Sequence, residues 1–179
     1  MKKNDNALVF LMAEYEKLKD EQHKRIEFRD QMIYLTLVAT GAVFSFSIEK
    51  TALNTALLVL PFVCTVMGWT YFTNDVKITK IGKYIRTVLI TRLESISETE
   101  VIDLSFSWEF YTIGDKHRKK RKLVQLLIDL GIFILPGISS IAIFPFIHSE
   151  INVAHILFSE FEVIGLIGLS AAFIWLSNE

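Results

Sequence analysis

The stretch Asp115–Ile147 reads DKHRKKRKLVQLLIDLGIFILPGISSIAIFPFI: a run of cations passes without a linker into 25 residues, Leu123–Ile147, whose only charge is Asp129. A segment of that length and character can cross a hydrocarbon core as a helix. The cations in front of it assign its leading end to the cytoplasmic face. The rest of the chain repeats the contrast. Its 179 residues are 51% hydrophobic with a mean hydropathy of +0.39, yet 19 are basic and 20 acidic. Charged and apolar residues occupy different segments instead of alternating, which excludes an ordinary soluble domain and reads as an all-α polytopic membrane protein.

Upstream of the basic run, residues 73–122 form a polar segment. The spacing of Val76, Ile81, Tyr84, Ile85, Val88, Leu89 and Leu93 predicts a helix there, and Ser95–Glu100 reads as a turn. In the following DLSFSWEFYT, the rings of Trp108, Phe110 and Tyr111 suit a headgroup region. Before this segment, Met32–Ile48 and Ala52–Phe72 are two further apolar spans, joined by Glu49-Lys50-Thr51 as a hairpin. Pro61 removes a backbone donor from the second span and frees a carbonyl that a neighbouring Ser or Thr can satisfy. Residues 7–31 carry Leu8, Leu11, Tyr15, Leu18, Gln22 and Ile26 at helical steps among charges, and no Pro or Gly separates them from the first span. An unbroken helix of about 40 residues is therefore expected. After the opening stretch, a polar link at His148–Ala154 leads to a fourth span, Ile156–Leu176, with Glu160 and Glu162 in its first turns. The expected division is 1–31 cytoplasmic helix, 32–72 transmembrane hairpin, 73–122 cytoplasmic segment and 123–176 second hairpin.

Orientation follows from Lys and Arg. Seven precede the first span, one sits at Lys50, eleven lie between the second and third spans, and none follows Lys122. With four spans and both termini in the cytoplasm, 18 of the 19 are inside, as the positive-inside rule requires. Trp69 and Trp175 then both fall at the inner boundary. The N-terminal apolar run is too short for a secretory signal and no cleavage site follows it, so Met1 is expected to be retained. Cys64 is the only cysteine and lies in an apolar run, which excludes an intrachain disulfide or a cysteine metal site.

Asp129 is the residue of most chemical interest, because a carboxylate within a span is costly. It lies about 10 Å past Lys122, on a stripe with Gln125, Ile132, Pro136 and Ser139 or Ser140. Two readings are open: a pore, gate or proton site built from Gln125, Asp129, Pro136 and Ser140, or a packing carboxylate held by Arg29, Tyr34 or Thr70. Lys116, Arg118, Lys119, Lys120, Arg121 and Lys122, with Arg25 and Arg29 on the same side, form an anchor for anionic lipid or a contact for a polyanion such as nucleic acid or a nucleotide. Gly165, Gly168 and Ala172 make a small-residue strip for helix packing, within the chain or between subunits. Outside, Glu49, His148, Glu150, His155, Glu160 and Glu162 read as a solvated rim, with metal binding or pH sensing through the histidines as the alternative. Their spacing fits no metal motif, so neither a metal nor another cofactor is expected. Motifs for hydrolytic or phosphate chemistry are absent and the polar segments are small, which points away from an enzyme.

The string AEYEKLKDEQHKRIEFRDQMIY, residues 13–34, running into a glycine-containing span, resembles the start of small four-span membrane proteins of bacterial anti-phage defence, among them the Kiwa membrane component and Hailong-type channel effectors. That resemblance implies an inner-membrane, homo-oligomeric subunit, taken as a tetramer, that senses envelope damage or depolarises the cell. A cytoplasmic protein partner is implied with it. The alternatives from the residues themselves are a non-conducting scaffold that recruits a soluble partner, or a small transporter, which the lack of an inverted repeat disfavours.

Overall fold

The computed structural model describes residues 2–49, 56–96, 106, 107, 109, 117–147 and 151–178. All regular structure among them is helical: α1 (Lys2–Glu49), α2 (Ala56–Tyr84), a π-helical turn (Ile85–Leu89), α3 (Ile90–Glu94), α4 (Arg118–Phe133), α5 (Leu135–Ile147) and α6 (Val153–Asn178). Three helical stretches are long and apolar enough to cross a membrane: Ala56–Glu94, Lys119–Ile147 and Val153–Asn178. The chain is a helical membrane protein in kind. Trp108, Phe110, Tyr111, Lys116, Glu49, Lys50, His148 and Glu150 lie outside the described residues, by their side chains or altogether.

The chain divides into two compact units. Unit 1 comprises Met1–Phe28 and Asn74–Lys119. In it the apolar faces predicted for two separate helices meet: Leu11, Tyr15 and Leu18 of α1 pack against a cluster of Ile85, Leu89, Ile90, Leu93 and Phe106. The π turn inserts one extra residue per turn, which brings Ile85 and Leu89 onto the same buried face as Ile90 and Leu93. Phe106 meets the edge of Tyr15 with ring centroids 5.0 Å apart. Polar groups border this core: Lys19 pairs with Glu109 at 2.8 Å, Tyr84 donates to Glu14 at 2.8 Å, Gln22 donates to the Ile78 carbonyl, and Arg25 donates to Asn74. Of the turn expected at Ser95–Glu100, Ser95 and Ile96 are described, and both turn back onto the end of α3.

Unit 2 comprises Arg29–Thr73 and Lys120–Glu179. Its largest core is Met32, Tyr71, Phe133, Ile134, Leu166, Leu169 and Phe173, and a smaller one at the other end of α2 joins Leu57, Leu58 and Phe144 to Val43 and Phe44. On α6 the buried positions are Glu162, Leu166, Leu169 and Phe173, the four-three-four spacing of a single helix face. The opposite faces are apolar and exposed, as at Val38, Leu127, Ile164 and Ile167, which suits contact with lipid rather than water.

Helix approach is set at a few backbone positions. A Cβ on Gly68 would collide with Leu169 Cδ2 and lie 3.1 Å from Phe133 Cβ; one on Gly137 would sit 3.3 Å from the Pro61 Cα and 3.0 Å from Leu166 Cδ1. Pro61 has no N–H, so the Leu57 carbonyl four residues earlier loses its helical donor. The Ser140 hydroxyl, fully buried on α5, donates to that carbonyl at 2.8 Å. This is the rescue the sequence foretold for Pro61. Pro136 leaves the Ile132 carbonyl without a donor in the same way, and α4 gives way to α5 at Ile134 with the flanking bonds Ile134 N–H to Leu130 O and Ile138 N–H to Ile134 O kept at 3.0 Å. Asn152 starts α6 by accepting the His155 N–H on its side-chain oxygen at 3.0 Å.

Candidate functional site

The polar residues singled out in the sequence separate into two places within unit 2. At one, Gln125 donates through Nε2 to Asp129 Oδ1 one turn along α4 and to the Tyr71 hydroxyl of α2, both at 2.9 Å. Asp129 is buried, at 6% exposure. Arg29 lies with its guanidinium carbon 5.9 Å from the centre of the Tyr71 ring and bonds Asp30. Helices α1, α2 and α4 thus bring a cation, a phenol, an amide and a carboxylate to one cluster, set at the edge of the aromatic core of Tyr71, Phe133 and Phe173. Of the partners expected for Asp129, Arg29 stands at this cluster. Tyr34 is exposed, and the Thr70 hydroxyl donates to the Val66 carbonyl. Tyr71 has no signal in the sequence beyond its position near the inner boundary.

Ser140 belongs to the second place. Its hydroxyl serves the Leu57 and Gly137 carbonyls at 2.8 and 3.2 Å, eleven residues and about 16 Å of helix from Asp129. Pro136, half-buried, lies between them. The buried face of this span runs through Asp129, Phe133, Gly137, Ser140 and Phe144.

Glu162 requires a correction. The sequence puts it with Glu160 in a solvated outer rim, but it is 2% exposed, and neither carboxylate oxygen has a hydrogen-bond partner. The Phe62 N–H approaches it without completing a bond. Thr40 and Thr65 are the other described side chains with a buried oxygen lacking a partner. Glu160 is exposed, two residues round the helix. The signal that separates them is the spacing: Glu162 is in step with Leu166, Leu169 and Phe173, and Glu160 is not. An ionised carboxyl at the centre of a membrane helix costs about 2.5–3.5 kcal/mol on insertion scales.

Of the basic residues, Lys119, Lys120 and Arg121 are exposed and Lys122 is half-buried; Arg118 opens α4. Arg25 is engaged by Glu21 and Asn74, and Arg29 by Asp30 and Tyr71. In the small-residue strip, Gly165 packs on Thr65 within the chain, since a Cβ there would lie 3.2 Å from its Cγ2. Gly168 faces open space and Ala172 is half-buried. Trp69 and Trp175, both half-exposed, stand around Phe72 at 5.5 and 6.4 Å between centroids, so the two indoles share a level.

In unit 1, the Lys19 ammonium and the Tyr15 hydroxyl converge on Glu109 Oε1, at 2.8 and 3.3 Å. Burial, and then the Glu109 charge beside it, push the Tyr15 phenol above its ordinary value. No group of three or more metal-ligating side chains occurs among the described residues. Comparison with protein-family models, with curated proteins and with solved structures finds no match.

Proposed function

We propose that this chain is a four-span protein of the bacterial inner membrane, with both termini in the cytoplasm, that assembles into a homo-oligomer and serves anti-phage defence as a sensor or ion-permeable effector rather than an enzyme. The observation that carries the reading is the Arg29–Tyr71–Gln125–Asp129 cluster. A hydrogen-bonded set of polar groups contributed by three helices of a membrane bundle is costly to leave in lipid and suits a place where helix packing changes.

A fourth span is supported by the course of α1 inside unit 2. Met32 packs in the core that holds Tyr71, and Val43 and Phe44 pack beside Leu57 and Leu58. This part of α1 therefore accompanies α2 from one end of its apolar stretch to the other. With α1 crossing, the Lys and Arg distribution again favours termini on the inside.

The exposed strip Leu8, Val9, Phe10 and Met12 on α1, together with exposed Lys119, Lys120 and Arg121, favours a second reading: a non-conducting scaffold that holds a cytoplasmic protein, or a polyanion, at the membrane. Ion flux through liposomes containing the purified chain, wild type against Asp129→Asn at equal incorporation and with the membrane potential varied, separates the two. The effector reading expects a leak that changes in the variant. Flux indistinguishable from empty liposomes under every condition, with a cytoplasmic protein captured through residues 8–12, would replace it with the scaffold.

A further inference from the structure

Glu162 carries an inference that stands whether or not the bundle conducts ions. Its carboxyl is enclosed, with both oxygens unpartnered. The surrounding sequence holds no charge to pair with it: residues 33–47 of α1, 56–72 of α2 and 130–147 of α4 and α5 contain no Lys, Arg, His, Asp or Glu. The titratable groups on those stretches are Tyr34, which is exposed, Cys64, and Tyr71, whose hydroxyl is hydrogen-bonded by Gln125. On α6 itself, His155 and Glu160 line an apolar groove of about 540 Å³ with Phe144, Pro145 and Ser159. Ser159 is one helical turn from Glu162.

A carboxyl buried without a hydrogen-bond partner is favoured as the neutral acid, because the anion would lose its hydration and gain in return only the approach of the Phe62 N–H. Asp129 shows the contrast, being buried at a similar exposure but hydrogen-bonded by Gln125. A metal cation would need several oxygen ligands around it, whereas a proton needs one carboxylate.

We propose that Glu162 is a proton-binding site in the interior of the membrane bundle, occupied while the helices are closed around it and emptied when they part enough for water to reach the carboxyl. Binding and release are the plain equilibrium of carboxylate plus proton with carboxylic acid. Ser159, which lines the groove one helical turn from Glu162, offers a polar approach.

The test uses the full chain in phospholipid vesicles. Infrared spectra near neutral pH should contain a carboxylic-acid carbonyl band that is lost in Glu162→Gln and kept in both Glu160→Gln and Asp129→Asn. Superimposable wild-type and Glu162→Gln spectra would overturn the proposal. Wild-type protein alone gives a second answer if that variant fails to assemble. Dicyclohexylcarbodiimide, which reacts with protonated carboxyls in apolar surroundings, should label Glu162 near neutral pH and not Glu160, as mapped by peptide mass. Label absent from Glu162 at every pH, or suppressed by sodium at constant pH, would overturn the proton, the latter in favour of a metal cation.

Discussion

Ser140→Ala removes the donor that replaces the missing N–H of Pro61, and the size of its effect can be worked out. Ser140 and Leu57 are both essentially inaccessible, so without the 2.8 Å bond the Leu57 carbonyl has no water to turn to. Stranding a buried acceptor costs about 1–3 kcal/mol in a soluble protein. Hydrogen bonds between membrane helices measured by double-mutant cycles average about 0.6 kcal/mol and reach about 1.7. The expected loss in Ser140→Ala is therefore about 1–1.5 kcal/mol. The same substitution in a Pro61→Ala background should cost much less, about 0.5 kcal/mol or below, because an alanine in place of the proline restores the N–H and closes the helical bond to Leu57. The remaining cost is the bond from Ser140 to the Gly137 carbonyl at 3.2 Å. Equilibrium unfolding of the four proteins in mixed micelles, followed by circular dichroism, gives the cycle. Equal costs of Ser140→Ala in the two backgrounds would refute the coupling, and with it the account of how α5 compensates the proline of α2.

Gly68→Val should destabilise the fold by about 1–3 kcal/mol, since the added carbons meet Leu169 and Phe133 in a filled core; unchanged unfolding would place α6 elsewhere. A Cβ on Gly168 meets nothing within the chain, so Gly168→Ala should leave monomer stability alone yet reduce the oligomer mass measured by light scattering if that face joins subunits; an unaltered mass removes Gly168 from the interface. Exchanging the charges in Lys19→Glu with Glu109→Lys should recover most of the roughly 1 kcal/mol lost in either single variant, read as the protease resistance of the stretch 2–28. Finally, the Tyr15 phenol is held above its ordinary value of 10.0. Its folded value is the raised one, so its stabilising contribution is complete below pH 10.0 and is lost as pH climbs through the higher folded value. Wild type should lose stability relative to Tyr15→Phe in that alkaline window; parallel curves would argue against burial of the phenol beside Glu109.

The helices were legible because membrane and water impose different patterns on them. Leu11, Tyr15 and Leu18 recur at helical steps among charges, and the same residues border the core of unit 1. The third and fourth apolar segments, cut by Pro136 and bounded by Asn152, emerge as α4, α5 and α6. Which face of each span turns inward is harder to read, because lipid and protein interior accept the same side chains. Hydropathy treats Phe133, buried in the core, and Leu127, exposed, alike. Inward faces reveal themselves through small or polar residues. Gly137, Ser140 and Asp129 mark one. Gly68 marks the α2 surface against Leu169, but a lone glycine in an apolar run has no partner visible in the sequence.

The two buried carboxyls of unit 2 differ in how plainly the sequence shows them. Asp129 stands out against apolar neighbours and invites a functional reading for that reason, and within the fold it lies hydrogen-bonded to Gln125 beside Tyr71 and Arg29. Glu162 looks ordinary in the sequence because Glu160 and a polar link precede it. Position along the helix suggests the membrane surface for both glutamates, but rotation about the helix separates them, since two residues turn a side chain by about 200°. Glu160 lines the groove beside Phe144 and Pro145, and Glu162 falls in register with Leu166 and Leu169. A charge at the edge of a span is thus defined by its angular position as much as by its depth. Here that angle carries the Glu162 carboxyl into the interior of unit 2, where neither oxygen meets a hydrogen-bond partner.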